Sequence, residues 1–215
     1  GFRKLRVNAR KISSRVLRAS DQKTLWNYLR DDSRQSSLGI FLCLTYGLRI
    51  GEIYALRWGD VDLRDGMISV NRTLTRRQTF SKKGRKTEIS ISSLKSVFSE
   101  RKIPLAPRDV EFLSQRRRPN DAYVLTGSPL RYMEPRTLAN RFKKILHECD
   151  IPDVTFHSLR HSFATRWVKL GYGVKIFSEI LGHSSVNVTL NYYVHPSTES
   201  QRQSVSRFSN DLFSK

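Results

Sequence analysis

The hydrophobic pattern of this chain changes period twice, and this limits its possible folds more than any other feature. Between Ser20 and Tyr46 the apolar residues recur at helical spacing. Leu25, Trp26 and Leu29 form one stripe, and Ile40, Phe41, Cys43 and Leu44 form a second. Ser20 or Asp21 can cap the first helix, which runs to about Asp32, and Gly47 stops the second. From Val61 the period falls to two. Val61-Asp62-Leu63, the turn Arg64-Asp65-Gly66 and Met67-Ile68-Ser69-Val70 predict a hairpin. A long polar stretch from Asn71 to Ser93 reads as loop, with strand pattern returning at Glu88–Ile91. Leu94–Leu105 reads as a second hairpin with Pro104 at a strand edge.

Helical spacing resumes at Pro107 and is broken by a short apolar strand at Asp121–Thr126. A helix from Glu134 or Pro135 to about Cys149 has Leu138, Phe142, Ile145 and Leu146 inside, and Arg141, Lys143 and Lys144 outside. Another opens near His157 with Leu159, Phe163, Ala164 and Trp167 toward the core. Val174–Leu181, stopped by Gly182, and Ser185–Tyr193 complete the set. The implied class is α+β, mostly helical with a small antiparallel sheet.

Charge narrows the partners. Lys and Arg number 39 against 19 Asp and Glu, a formal net charge of +20 on 215 residues. Such a surplus attracts polyanions, with nucleic acid the commonest. It is spread along the chain and not gathered on one amphipathic helix, which argues against a membrane-surface segment. No apolar run approaches the roughly 20 residues of a membrane-spanning helix. Cys43 and Cys149 sit in apolar helical patterns and read as core thiols of a reduced compartment. No Cys/His group has zinc spacing, and no glycine loop suits a phosphate-bearing cofactor.

Candidate chemistry lies in a few short stretches. Arg49 and Glu52 are three apart on one helical face, so the carboxylate can brace a guanidinium aimed elsewhere. A guanidinium matches the two free oxygens of a phosphodiester and stays charged at working pH. His157 and Arg160 repeat that spacing at a helix start, with His183 after Leu181-Gly182 and the pair Tyr192-Tyr193 after Asn191. Lys95, on the second predicted hairpin, can deliver a proton. Arg76, Arg77, Lys82, Lys83, Arg85 and Lys86 lie in the polar stretch and suit phosphate contacts.

Five of these marks in order resemble the tyrosine recombinase (phage integrase) family. They are Leu48-Arg49-Ile50-Gly51-Glu52, Lys95-Ser96 with Ser99 to Leu105, His157-Ser158-Leu159-Arg160-His161, Leu181-Gly182-His183-Ser184, and the tyrosine followed by Val194-His195. Thr189-Leu190-Asn191-x-Tyr193-Val194-His195 is most similar to integrases of conjugative transposons. The resemblance implies metal-independent cleavage of DNA through a 3′-phosphotyrosyl link, without cofactor, serving site-specific integration or excision of a mobile element. Its alternatives are relaxation of the type IB topoisomerase kind and a catalytically inactive DNA-binding module.

In that reading Tyr193 is the nucleophile, with Tyr192 as alternative. His157 is the base, Arg49 and Arg160 clamp the phosphate, His183 adds a hydrogen bond, and Lys95 is the acid. The segment before Lys95 is longer than is usual in the family, so Lys82, Lys83 and Lys86 remain alternatives for the acid. The resemblance also implies a basic interdomain linker over 1–18, a catalytic domain over 19–196 and a tail helix over 197–215. The tail carries Val205, Phe208 and Leu212 at helical spacing and is expected to pack on the next protomer of a tetramer on duplex DNA. Accessory directionality factors and a bacterial cytoplasmic, nucleoid-associated location complete the expectation.

Overall fold

The computed structural model describes residues 16–81, 84–94 and 100–182, with isolated positions between 187 and 210. At its centre is α2 (Ser37–Tyr46). The run Leu-Gly-Ile-Phe-Leu-Cys-Leu has no polar side, and a helix apolar all round has no face to give to water. Leu38, Ile40, Phe41, Leu42 and Cys43 are each at most 1% exposed. Around it pack α1 (Ala19–Asp31), α3 (Ile50–Ala55) and α6 (Phe156–Lys169). The rings of Trp26, Phe41 and Phe112 lie 4.8–5.3 Å apart and tie α1 and α2 to α4 (Pro107–Ser114).

The first helix is not capped as expected. It begins at Ala19 with Arg18 at the cap position, and no side chain takes that role. Asp21 is turned instead to Arg18, at 3.0 Å, where its charge still favours the positive end of the helix. Gly47 ends α2 in the left-handed conformation, at φ 66°, as predicted.

After the 3-10 turn Trp58–Asp60, β1 (Val61–Asp62), β2 (Met67–Val70) and β5 (Arg101–Pro104) form an antiparallel sheet in the order β1-β2-β5. The first hairpin is as predicted. The first arm of the second predicted hairpin falls on Lys95–Ser99, outside the described residues; the described arm, β5, pairs with β2, Ile103 opposite Ile68 and Arg101 opposite Val70. Pro104 lies on an edge strand of this sheet, where a missing N–H costs no ladder bond.

The polar stretch is also not a loop. β3 (Arg72–Ser81) and β4 (Gly84–Ser93) pair in register from Arg72↔Ser93 to Ser81↔Gly84. Threonine and isoleucine favour extended backbone, but from Asn71 to Lys86 only Leu74 and Phe80 are apolar, too few for an alternation to announce a strand. Its base is fixed to the body. Leu74 is buried and β3 packs on α3, close enough that a Cβ on Gly51 would meet Thr73 Oγ1 at 2.6 Å.

Asp121–Thr126 forms turns and not the expected strand. Ala122, Tyr123, Val124 and Leu125 are buried all the same, held by Trp58 N–H donating to Ala122 and Val124 N–H to Leu56. In α5 (Pro135–Glu148) the four predicted core residues are at most 1% exposed. Arg141 does not ride outside: it reaches Asp32 at 2.8 Å with its side chain 17% exposed. α7 (Val174–Leu181) ends at Gly182, φ 63°, as predicted. Cys43 is buried and Cys149 half-buried, both free thiols.

Candidate active site

The last turn of any helix leaves carbonyl oxygens without an intrahelical partner, at the negative end of its dipole. At the end of α7 three consecutive carbonyls, the last on its capping Gly182, are each met by a guanidinium. Arg101 Nε donates to Ile180 O at 2.6 Å, Arg160 Nη2 to Leu181 O at 2.9 Å, and Arg49 Nη2 to Gly182 O at 3.0 Å. The arginines come from β5, α6 and the turn before α3, so one helix end gathers three distant segments. Arg160 Nη1 also donates to the Gly47 carbonyl, which the left-handed glycine turns toward it.

Glu52 holds the other side of the cluster and is 1% exposed. Its Oε1 accepts from Arg49 Nη1 at 2.9 Å and Arg101 Nη1 at 3.0 Å. Its Oε2 accepts from the Arg49 backbone N–H and from Arg101 Nη2, both at 2.9 Å. These four bonds fill the acceptor capacity of a carboxylate. Burial alone would push the Glu52 carboxyl up, but the hydrogen bonds and charge of Arg101, with Arg49, hold it below the usual carboxylate range. The expected Arg49–Glu52 pair is therefore present, though it is a buried bridge between two arginines and not a surface pair.

Arg49 and Arg160 differ in access. The Arg49 side chain is 41% exposed and open to solvent, whereas Arg160 is 3% exposed. Arg160 does not share an outer face with His157, as the spacing suggested; it points into the body beside Cys43, whose thiol is raised to about 12 by burial against the lowering charge of Arg160. His157 keeps a solvent-facing edge and meets His161 edge-to-face, ring centroids 4.4 Å apart. Partial desolvation, then the charges of Arg160 and Arg49, lower the His157 imidazole below its ordinary 6.5. It is a neutral acceptor at neutral pH.

Of the predicted site residues, the structure brings together Arg49, Glu52, His157 and Arg160. Arg76 stands exposed on β3. Arg77, Arg85 and Lys86 have backbone places on the ribbon, opposite Glu88, Phe80 and Thr79. Lys82, Lys83, Lys95, His183, Tyr192 and Tyr193 lie outside the described residues. Arg101 is the member that sequence reading missed. Its signal was the strand period: Arg101 and Ile103 share a face, and Ile103 is fully buried, so an arginine there points inward.

A family model described as the phage integrase family matches residues 15–200. The chain belongs to that family. Among curated phage integrase relatives, a tyrosine recombinase XerC-like protein of Caldanaerobacter subterraneus subsp. tengcongensis is 29% identical over 184 residues, 78% of this chain and 47% of that protein. The transposase from transposon Tn916 of Enterococcus faecalis is 25% identical over 219 residues, 93% of this chain and 52% of that protein. The chain spans about half the length of these relatives. The Tn1549 transposon integrase, solved in complex with a circular intermediate DNA, shares the fold at TM-score 0.69 and 22% identity, covering 91% of this chain and 66% of that one. XerA recombinase does so at TM-score 0.64 and 22% identity, covering 90% and 63%. The mostly helical α+β class with its small antiparallel sheet is the fold of this family's catalytic domain.

Proposed function

We propose that this chain is the catalytic part of a site-specific DNA recombinase that integrates or excises a mobile element. The observation that carries the reading is the guanidinium cluster at the end of α7. Arg49, Arg101 and Arg160 against Glu52 leave a positive surplus, with Arg49 facing out and a neutral His157 beside it. Duplex DNA is the partner that both this cluster and the net charge of +20 suit.

The step is transfer of a phosphoryl ester. The Tyr193 phenol oxygen, with Tyr192 as alternative, bonds to the phosphorus of a backbone phosphate, and the P–O5′ bond breaks. His157 accepts the phenol proton, which an unperturbed group of pKa about 10 does not release unaided. Arg49, backed by the buried Arg160, bears the charge that gathers on the equatorial oxygens. His183 adds a hydrogen bond there, and Lys95 gives a proton to the departing 5′-oxygen. The phosphotyrosyl bond conserves the ester, so a 5′-hydroxyl from another strand reverses the step without ATP. The basic residues Arg76, Arg77, Lys82, Lys83, Arg85 and Lys86 contact phosphates beside the cut.

The domain reading is a linker over 1–18, a catalytic domain over 19–196 and a tail over 197–215 that binds a neighbouring protomer in a tetramer. The 67% exposure of Val205 supports it. Truncation after Pro196 is expected to keep duplex binding and abolish the tetramer, read by gel shift and light scattering. A plasmid carrying two copies of a duplex that the protein enriches from a random pool tests the function. Exchanged products are expected; relaxed circles alone overturn it.

A further inference from the structure

We propose that Arg101 is a positioning residue for cleavage: by occupying the Glu52 carboxylate face-on, it keeps Arg49 turned outward with charge to spare. The inference rests on Arg49 being the phosphate clamp.

A guanidinium and a carboxylate left alone pair through two parallel bonds. Arg101, and not Arg49, holds that geometry here, with Nη1 on Oε1 at 3.0 Å and Nη2 on Oε2 at 2.9 Å. Arg49 therefore reaches Glu52 through one side-chain nitrogen, Nη1, and through its backbone N–H. Without Arg101, Glu52 would take the Arg49 fork for itself, cancelling its charge and swinging it from the surface.

Arg101 is built to stay where it is. Its side chain is 6% exposed. Ile103 anchors its strand in the core, and its Nε is tied to Ile180 O at 2.6 Å. Gly182 lies against it so closely that a Cβ there would meet Arg101 Nη1 at 2.8 Å. The same side chain thus joins the strand that follows Lys95, the carboxylate behind Arg49 and the helix end that leads into His183. A residue this enclosed acts on DNA through its neighbours.

The test uses a nicked duplex built on the sequence enriched from a random pool, with covalent adduct formation as readout and duplex Kd measured beside it. R101Q is expected to lower the single-turnover cleavage rate about 100-fold, the scale of removing one preorganised donor, with Kd within about threefold. Adding E52Q to R101Q removes the carboxylate that captures Arg49 and is expected to restore the rate at least about tenfold. A merely structural role for Arg101 gives a double variant no faster than R101Q, and that result overturns the proposal. R101K keeps the charge but not the fork, so it is expected to fold and to cleave about tenfold slower than the parent; parental speed in R101K also overturns it. Cleavage that survives R49Q would instead remove the clamp role of Arg49, which separates the two failures.

Discussion

At the residue scale the site depends on Glu52, a carboxylate with no water to fall back on. Removing one partner of a buried ionic group leaves the others uncompensated, which typically costs about 3–5 kcal/mol. Glu52→Ala is expected to lose about 3 kcal/mol or more in urea unfolding, since Arg49 and Arg101 are both deprived of their acceptor. A loss under about 1 kcal/mol would mean that the bridge is solvated and that the cluster is not held as described. His157 supplies a prediction in pH. Its folded-state pKa is lowered, first by desolvation and then by Arg160 and Arg49, so the neutral, proton-accepting form persists as pH falls through 6.5. The acid limb of kcat/KM for cleavage, which reports the free protein, is expected below pH 6.5. Arg49→Gln removes one of the depressing charges and should move the residual limb toward higher pH. A limb that moves the other way, or not at all, would place His157 outside the field of Arg49.

At the element scale, what the sequence disclosed and what it hid have physical causes. Gly47 and Gly182 were readable as helix stops because left-handed backbone selects glycine locally, and both stand at positive φ. Arg49 and Glu52 were readable as a pair because a helix start brings them together within one turn. The partner that completes the bridge was not: Arg101 lies 49 residues from Glu52, and only the β2–β5 register carries it there. Arg160 was assigned to an outer face because the His157–Arg160 spacing sets a shared side but not which side meets solvent. The ribbon was hidden for the opposite reason, since between Asn71 and Lys86 only Leu74 and Phe80 are apolar and print no period. That polar composition makes it separable from the core. Changing Arg76, Arg77, Lys82, Lys83, Arg85 and Lys86 to Gln should leave the melting temperature nearly unchanged. It should also flatten the salt dependence of duplex binding by about 0.9 in slope for each phosphate that is no longer neutralised. An unchanged slope would take the ribbon off the DNA.

At the scale of the whole molecule, an apolar helix at the centre fixes the outward elements, and the end of α7 collects arginines from a strand of the sheet and from segments before and after it in the chain. Neutralising helix carbonyls and a carboxylate uses part of that charge, and what remains faces out through Arg49. Such a surface suits the proposed reaction, which builds negative charge on a phosphate and begins at Tyr193. Trapping on a nicked duplex, followed by mass spectrometry of the DNA-linked peptide, tests this most directly. The expected result is a 3′-phosphotyrosyl adduct at Tyr193, lost in Tyr193→Phe with duplex binding retained. An adduct that survives that change and maps to Tyr192 would move the nucleophile by one residue. No adduct at either tyrosine, from protein that binds the duplex, would contradict cleavage by this chain.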